Sequence, residues 1–437
     1  MRDHIALEKR RESALTGGEM VTKSPMSESP LNLMELILSK KNLHKAFEQV
    51  YRNDGAAGID GMTVDDLSDY LKDHWQEIRR SLLEEEYIPK AVLRVEIPKP
   101  NGGVRKLGIP TVLDRFLQQA ILQVLQDEWD QTFSESSFGF RPNRSCHDAI
   151  RQSQKFIKQG YKDVVDIDLE KFFDQVNHDR LMSKLNKRIK DRRVSSLIFK
   201  FLKSGIMNKG CFEKNEKGTP QGGPLSPLLS NLVLDELDKE LEKRGHKFCR
   251  YADDCNIYVR SKRAGRRVMH SISRYITNKL KLKVNVEKSA VSKPHKRKFL
   301  GFSFRGNRIK VSDESFKSLK TKIRGITQRT RGLRVESIIE ELSIYLRGWK
   351  GYYGISECRS KFKLIDSWIK RRLRCYIWKQ WGSSGYRKLK ELGVRGKLKW
   401  NTCKSAHGPW RISHSPAVAL ALPNKYFSEL GLISLHD

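Results

Sequence analysis

The sequence predicts an α+β fold of roughly three domains. Short runs of β-branched and aromatic residues bounded by turn residues, as in 163–169 and 247–259, read as strands. Apolar residues recurring every three or four positions, as over 113–129 and 338–349, read as helices. A chain of 437 residues with a 38% hydrophobic fraction can bury a core of that complexity.

Residues 1–30 are polar and charged, with Ser24, Pro25, Ser27, Ser29 and Pro30 close together, and predict a flexible leader without its own core. From residue 31, Leu33, Leu36, Ile37, Leu43, Phe47 and Val50 recur at helical spacing. A glycine-rich loop at 55–61 and a helix around 64–83 complete an N-terminal unit over 31–87. Residues 88–304 mix strands with apolar-rich helices at 113–129, 146–159 and 225–243. Over 305–381 basic residues interleave with Ile, Leu, Trp and Tyr, which predicts amphipathic helices with cationic faces. The segment 382–437 is basic and reads as loop-rich.

The formal net charge is +34, far more than solubility needs, and it is spread along the whole chain. Such a field calls for a long polyanion, which means nucleic acid. No stretch approaches the roughly 20 apolar residues of a membrane span, so no membrane partner is expected. No apolar signal segment opens the chain. The seven cysteines are scattered and form no Cys-x-x-Cys pair, which argues against zinc and a disulfide framework and for a reduced, cytoplasmic setting.

Within 247–259, Tyr251-Ala252-Asp253-Asp254 places two adjacent acids between apolar flanks, predicting a strand, a tight turn and a second strand. Adjacent carboxylates repel and are costly to desolvate without a cation beside them. Asp168 lies near the end of the apolar run Val164, Val165, Ile167, Leu169, so it can meet the Asp253-Asp254 hairpin across a sheet. Asp166 and Asp174 are alternatives, and Asp166 shares a strand face with Asp168. Three carboxylates from two strands suit two magnesium ions and in-line nucleotidyl transfer.

These blocks resemble the group II intron-encoded reverse transcriptases. The acidic strand, Gly218-Thr219-Pro220-Gln221-Gly222-Gly223-Pro224-Leu225-Ser226-Pro227 and Tyr-Ala-Asp-Asp stand in that family's order. Arg94-Val95-Glu96-Ile97-Pro98-Lys99-Pro100 with Gly102-Gly103, then Ser137-Phe138-Gly139-Phe140-Arg141-Pro142, resemble its fingers, and Phe299-Leu300-Gly301-Phe302 resembles its primer grip. The resemblance implies a right-hand polymerase. It would have an N-terminal extension (31–87), fingers and palm (88–304), a helical thumb or maturase domain X (305–381) and a small DNA-binding region (382–437). A further His-Asn-His endonuclease segment is not expected, as in the class C members.

The resemblance also implies residue roles. Asp168, Asp253, Asp254 and the Leu169 carbonyl would hold two Mg2+ ions, with Mn2+ as a substitute. Lys99 and Arg105 would grip the triphosphate of a dNTP, Phe172 would exclude a 2′-hydroxyl while Phe173 is the buried ring, and Gln221 and Lys288 would lie against the incoming nucleotide. Arg141 would contact template, and Leu300 and Gly301 would let the primer backbone pack closely. The partners implied are intron RNA, an RNA template with a DNA or RNA primer, and target DNA. A domesticated relative in phage defence or repair, or a splicing cofactor with its polymerase dispensable, would carry the same blocks. Sequence leaves monomer or dimer open.

Overall fold

The computed structural model describes residues 33–98, 102–208, 210–219 and 222–437. The leader over 1–30, Lys99 and Gln221 therefore lie outside the described residues. The strands run β1 (Val92–Pro98), β2 (Val104–Ile109), β3 (Asp163–Ile167), β4 (Ile206–Asn208), β5 (Cys211–Glu213), β6 (Lys247–Tyr251), β7 (Asp254–Val259), β8 (Ala290–Ser292), β9 (Phe302–Arg305) and β10 (Arg308–Val311). They form an outer sheet in the order β2-β1-β4-β5, a central sheet β6-β7-β3-β8, and the hairpin β9-β10. The central sheet is antiparallel throughout, while β1 and β4 pair in parallel. With helices making up most of the remainder, the chain is α+β.

The expected helices form at Val112–Asp130, Cys146–Lys158 and Ser226–Lys243, each within a residue of its sequence bounds. Caps explain two of the starts. Thr111 accepts a hydrogen bond from the Asp114 backbone N–H. Ser145 and Asp148 form a reciprocal capping box, and that bond holds the Asp148 carboxyl below its usual range. Among the described residues no helix is long and apolar enough to cross a membrane.

Strand alternation gives the central sheet two buried faces. Val165, Ile167, Cys255 and Ile257 join one core with the Ser226–Lys243 and Lys262–Tyr275 helices. Val164, Cys249 and Tyr258 join a second core with the Cys146–Lys158 helix, Phe299, Phe302 and Phe304. The even-numbered positions of β3 and β7 thus share a face, and Asp166, Asp168 and Asp254 lie along it.

The C-terminal part differs from expectation. Residues beyond 382 are not loop-rich but carry short helices at Gly385–Glu391, Gly396–Cys403, Pro409–Ile412, Pro416–Ala421 and Asn424–Glu429. Leu389, Val394, Val418, Leu422, Phe427 and Leu435 share one core with Leu342, Leu346, Ile369 and Leu373 of the long helices Val335–Tyr353 and Arg359–Trp381. Asp366 fastens the end of the chain, its carboxylate accepting from the backbone N–H groups of Leu435 and His436 at 3.0 Å each. Helices of four to eight residues are too short to show a period in sequence, and only this shared core stabilises them.

Candidate active site

The pair Tyr251↔Asp254 closes the β6–β7 hairpin on a two-residue turn, Ala252-Asp253. Ala252 holds a φ of 56°, a conformation that favours glycine and that surrounding structure has to enforce. In the neighbouring ladder Ile167 stands opposite Cys255. Asp168 and Asp254 therefore leave adjacent strands side by side, with Asp253 at the turn. Beyond β3 the Asp168 carbonyl accepts from the Asn285 N–H at 2.8 Å, and the Glu170 N–H donates to the Lys283 carbonyl at 2.8 Å. Leu169 faces Val284 between those two bonds, so this pairing does not engage its own carbonyl.

Charge separates the two candidate acids on β3. Asp166 is paired with Arg297 at 2.6 Å. Asp168 has only Lys288, whose ammonium stands 3.7 Å away and is largely in solvent. A pair that long and exposed contributes about 0–1 kcal/mol, so Asp168 remains nearly uncompensated. Burial raises the Asp253 carboxyl above its usual range, with repulsion from Asp168 adding to the shift and Arg105 opposing it. Asp254 reaches solvent at the mouth of the site, yet the protein crowded around it, joined by Asp253, Asp166 and Asp168, pushes its pKa up to about 6. Among the described residues no three or more His, Cys, Asp or Glu side chains are gathered closely enough to hold a metal ion as they stand. An all-oxygen set that is open and under mutual repulsion fits a divalent ion that keeps waters and also takes substrate phosphates. Such a set suits chemistry that depends on a divalent metal.

The remaining predicted residues divide. Arg105 lies on β2, where its charge reaches Asp253. The burial of Phe172 and Phe173 is the reverse of expectation. Phe172 is 2% exposed and Phe173 is half-buried, with the rings edge-on at 5.2 Å. Lys171, at a left-handed φ of 46°, stands at the N-cap of the helical turn Phe172–Gln175 that carries both rings. The Thr219 N–H donates to the Phe173 carbonyl and the Gly218 N–H to that of Val176, which lays the loop leading to Gln221 over this turn.

Arg141 does not reach toward a template. Its guanidinium is buried and engaged with Asp130 at 2.7 Å and with the carbonyls of Ser134 and Ser137 at 2.6 and 2.9 Å. It is a strut. The close approach at Gly301 is likewise internal, since a Cβ there would sit 2.6 Å from the Tyr353 hydroxyl. The Leu300 carbonyl accepts from the Tyr352 hydroxyl at 2.9 Å. These two residues thus seat the helical C-terminal part on the palm-like sheet.

Sequence reasoning missed the scaffold under the hairpin. Arg250, fully buried, grips the equally buried Asp238 through its Nε at 2.7 Å and its terminal nitrogen at 2.5 Å. The same guanidinium donates to the Ala252 carbonyl at 2.9 Å, the Asn231 amide oxygen at 2.9 Å and the Ser137 hydroxyl at 2.7 Å. Asn231 in turn donates to the Gly139 carbonyl at 2.9 Å. Gly139 has no room for a side chain, because a Cβ would meet the Ala252 nitrogen at 2.3 Å. The Phe-Gly-Phe-Arg-Pro block is therefore the bed on which the acidic turn rests. One signal was present in the sequence. Asp238 interrupts the apolar stripe Leu234, Leu237, Leu241, and a buried acid needs a buried cation.

Comparison with known proteins agrees with this geometry. Residues 97–304 match the family model "Reverse transcriptase (RNA-dependent DNA polymerase)", and residues 316–393 match "Group II intron, maturase-specific domain". Protein YkfC of Escherichia coli strain K12 is 33% identical over 317 residues, spanning 63% of this chain and 82% of that protein. Group II intron-encoded protein LtrA of Lactococcus lactis is 29% identical over 359 residues, 67% of this chain and 60% of its own length. The chain thus spans less than two thirds of LtrA. The retron Ec86 reverse transcriptase of Escherichia coli is 26% identical over 291 residues, 65% of this chain and 79% of that one. A polymerase match that runs on into a maturase-specific one, above a hairpin of coupled acids, places the chain in the reverse transcriptase family, RNA-directed DNA polymerases, on its group II intron maturase branch.

Proposed function

We propose that this protein extends a DNA or RNA primer on an RNA template with deoxynucleotides, and that it also grips an intron RNA to promote splicing and retrohoming into target DNA. The observation carrying the first role is the convergence of Asp168, Asp253 and Asp254 with too little positive charge around them. The carboxylates and the Leu169 carbonyl would hold two Mg2+ ions, or Mn2+ in their place, which supply charge neutralisation for the 3′-hydroxyl and the triphosphate. Arg105, with Lys99 beyond the described residues, offers cations to the triphosphate from the β1–β2 hairpin. Lys288 stands close enough to Asp168 to trade that contact for a substrate phosphate. Gln221, outside the described residues, comes two positions after Thr219, whose N–H bonds the Phe173 carbonyl, and would face the nascent base pair.

The purified full chain should extend a DNA primer annealed to an RNA template when given dNTPs and Mg2+, and EDTA should stop it. Independently of activity, Mg2+ should raise the thermal midpoint of the wild type, since a ligand that binds only the folded state stabilises it. Asp168→Asn should blunt that rise. No extension in Mg2+ or Mn2+, or a thermal response indifferent to Asp168→Asn, overturns the reading.

Phe172 is proposed as the floor that meets the sugar edge-on, with Phe173 bracing it. Phe172→Ala should raise ribonucleotide incorporation relative to deoxynucleotide by about tenfold or more. If Phe173→Ala relaxes sugar choice and Phe172→Ala does not, the gate belongs one residue later.

A further inference from the structure

A cleft of about 1060 Å³ opens between the β9–β10 hairpin and the turn joining the helices Val335–Tyr353 and Arg359–Trp381. Polymerase chemistry makes no use of the groups in it. Arg305, Arg308, Lys310, Arg359 and Lys361 line it. Lys310 donates to the Glu357 carbonyl, and Lys361 pairs with Asp313 at 3.3 Å. The side chains of Arg305, Arg308 and Arg359 are exposed and make no ion pair or hydrogen bond with another described residue.

A second observation is independent of charge. Ser356 lines the same cleft and is 6% exposed, and its buried hydroxyl has no hydrogen-bond partner. A buried donor left empty is unfavourable, and an anionic oxygen entering the cleft would satisfy it. Three exposed guanidiniums and one unpartnered hydroxyl lining the same cleft are the groups that suit a phosphate.

None of Asp168, Asp253 and Asp254 lines this cleft.

We infer that this cleft binds the phosphodiester backbone of a folded RNA, at a site distinct from the primer–template path. The inference rests on the maturase reading above, and Arg359 and Lys361 fall inside the maturase-specific match. Folded RNA is recognised mainly through backbone and shape, for which fixed cations in a concave surface are suited.

The test uses the full chain and a fluorescein-labelled RNA hairpin over a salt series. Arg308→Glu with Arg359→Glu should weaken hairpin binding by about tenfold or more and make the salt slope shallower by about two. Arg308→Gln with Arg359→Gln should fall between this pair and wild type, with folding confirmed by an unchanged thermal midpoint. KM for an annealed DNA primer on an RNA template should stay at the wild-type value. Unchanged RNA affinity and slope in folded variants overturns the cleft assignment. So does a primer–template KM that rises in step with the hairpin Kd, because the arginines would then track the duplex. Failure of the wild type itself to bind the hairpin overturns the maturase reading and the cleft with it.

Discussion

Asp253→Ala should abolish cDNA synthesis and leave RNA binding intact. The expected loss of rate is about a thousandfold or more, because on the proposed reading the residue would act on charge that develops in the transition state. Two features of the protein make the result interpretable. The carboxyl is disfavoured where it sits, raised by burial and by repulsion from Asp168. Removing it relieves that repulsion, so the variant should unfold no more easily than wild type and the loss cannot be assigned to misfolding. A chain carrying +34 also loses no cation in the exchange, so affinity for RNA should hold or tighten slightly. Single-turnover extension measured beside filter binding separates the two activities. Extension at the wild-type rate would remove Asp253 from the site.

What could be read in the sequence follows a physical line. Asp168 and Asp253 were legible because each interrupts or ends an apolar run, and an acid there needs a reason. Long helices were legible because their periods repeat several times. The template contact that the resemblance implied for Arg141 is not what the fold gives it, because Asp130 and two carbonyls enclose its guanidinium. Which of Phe172 and Phe173 is buried depends on how the turn after Lys171, with its φ of 46°, packs on the core, and adjacent rings leave no mark of that in composition. Strand alternation alone could not separate Asp168 from Asp166, and the ion pair that occupies Asp166 comes from Arg297, more than a hundred residues further along the chain. Tertiary partners of this kind, not local propensity, account for the misses.

Arg250 supplies the other large effect, and it tests whether the acidic turn is positioned or merely present. Arg250→Met leaves Asp238 as a buried charge with no counter-ion, which should cost about 3–5 kcal/mol of stability. Asp238→Leu alone should cost a similar amount by stranding the guanidinium. Making both changes removes the unpaired charges and fills the space with apolar groups, so the double variant should recover much of the loss and fold. Its cDNA synthesis should nevertheless stay down by about a hundredfold, the penalty for catalytic groups displaced by roughly an ångström. The reason lies in what the methionine cannot do. The Ala252 carbonyl, the Asn231 amide and the Ser137 hydroxyl each lose their donor, and Ala252 loses the bond that helps hold its φ of 56° against relaxation. Denaturant melts and extension assays on the two single variants and the double one give the comparison. A double variant that regains stability and activity together would mean that the Gly139 bed and the β6–β7 ladder hold the turn unaided.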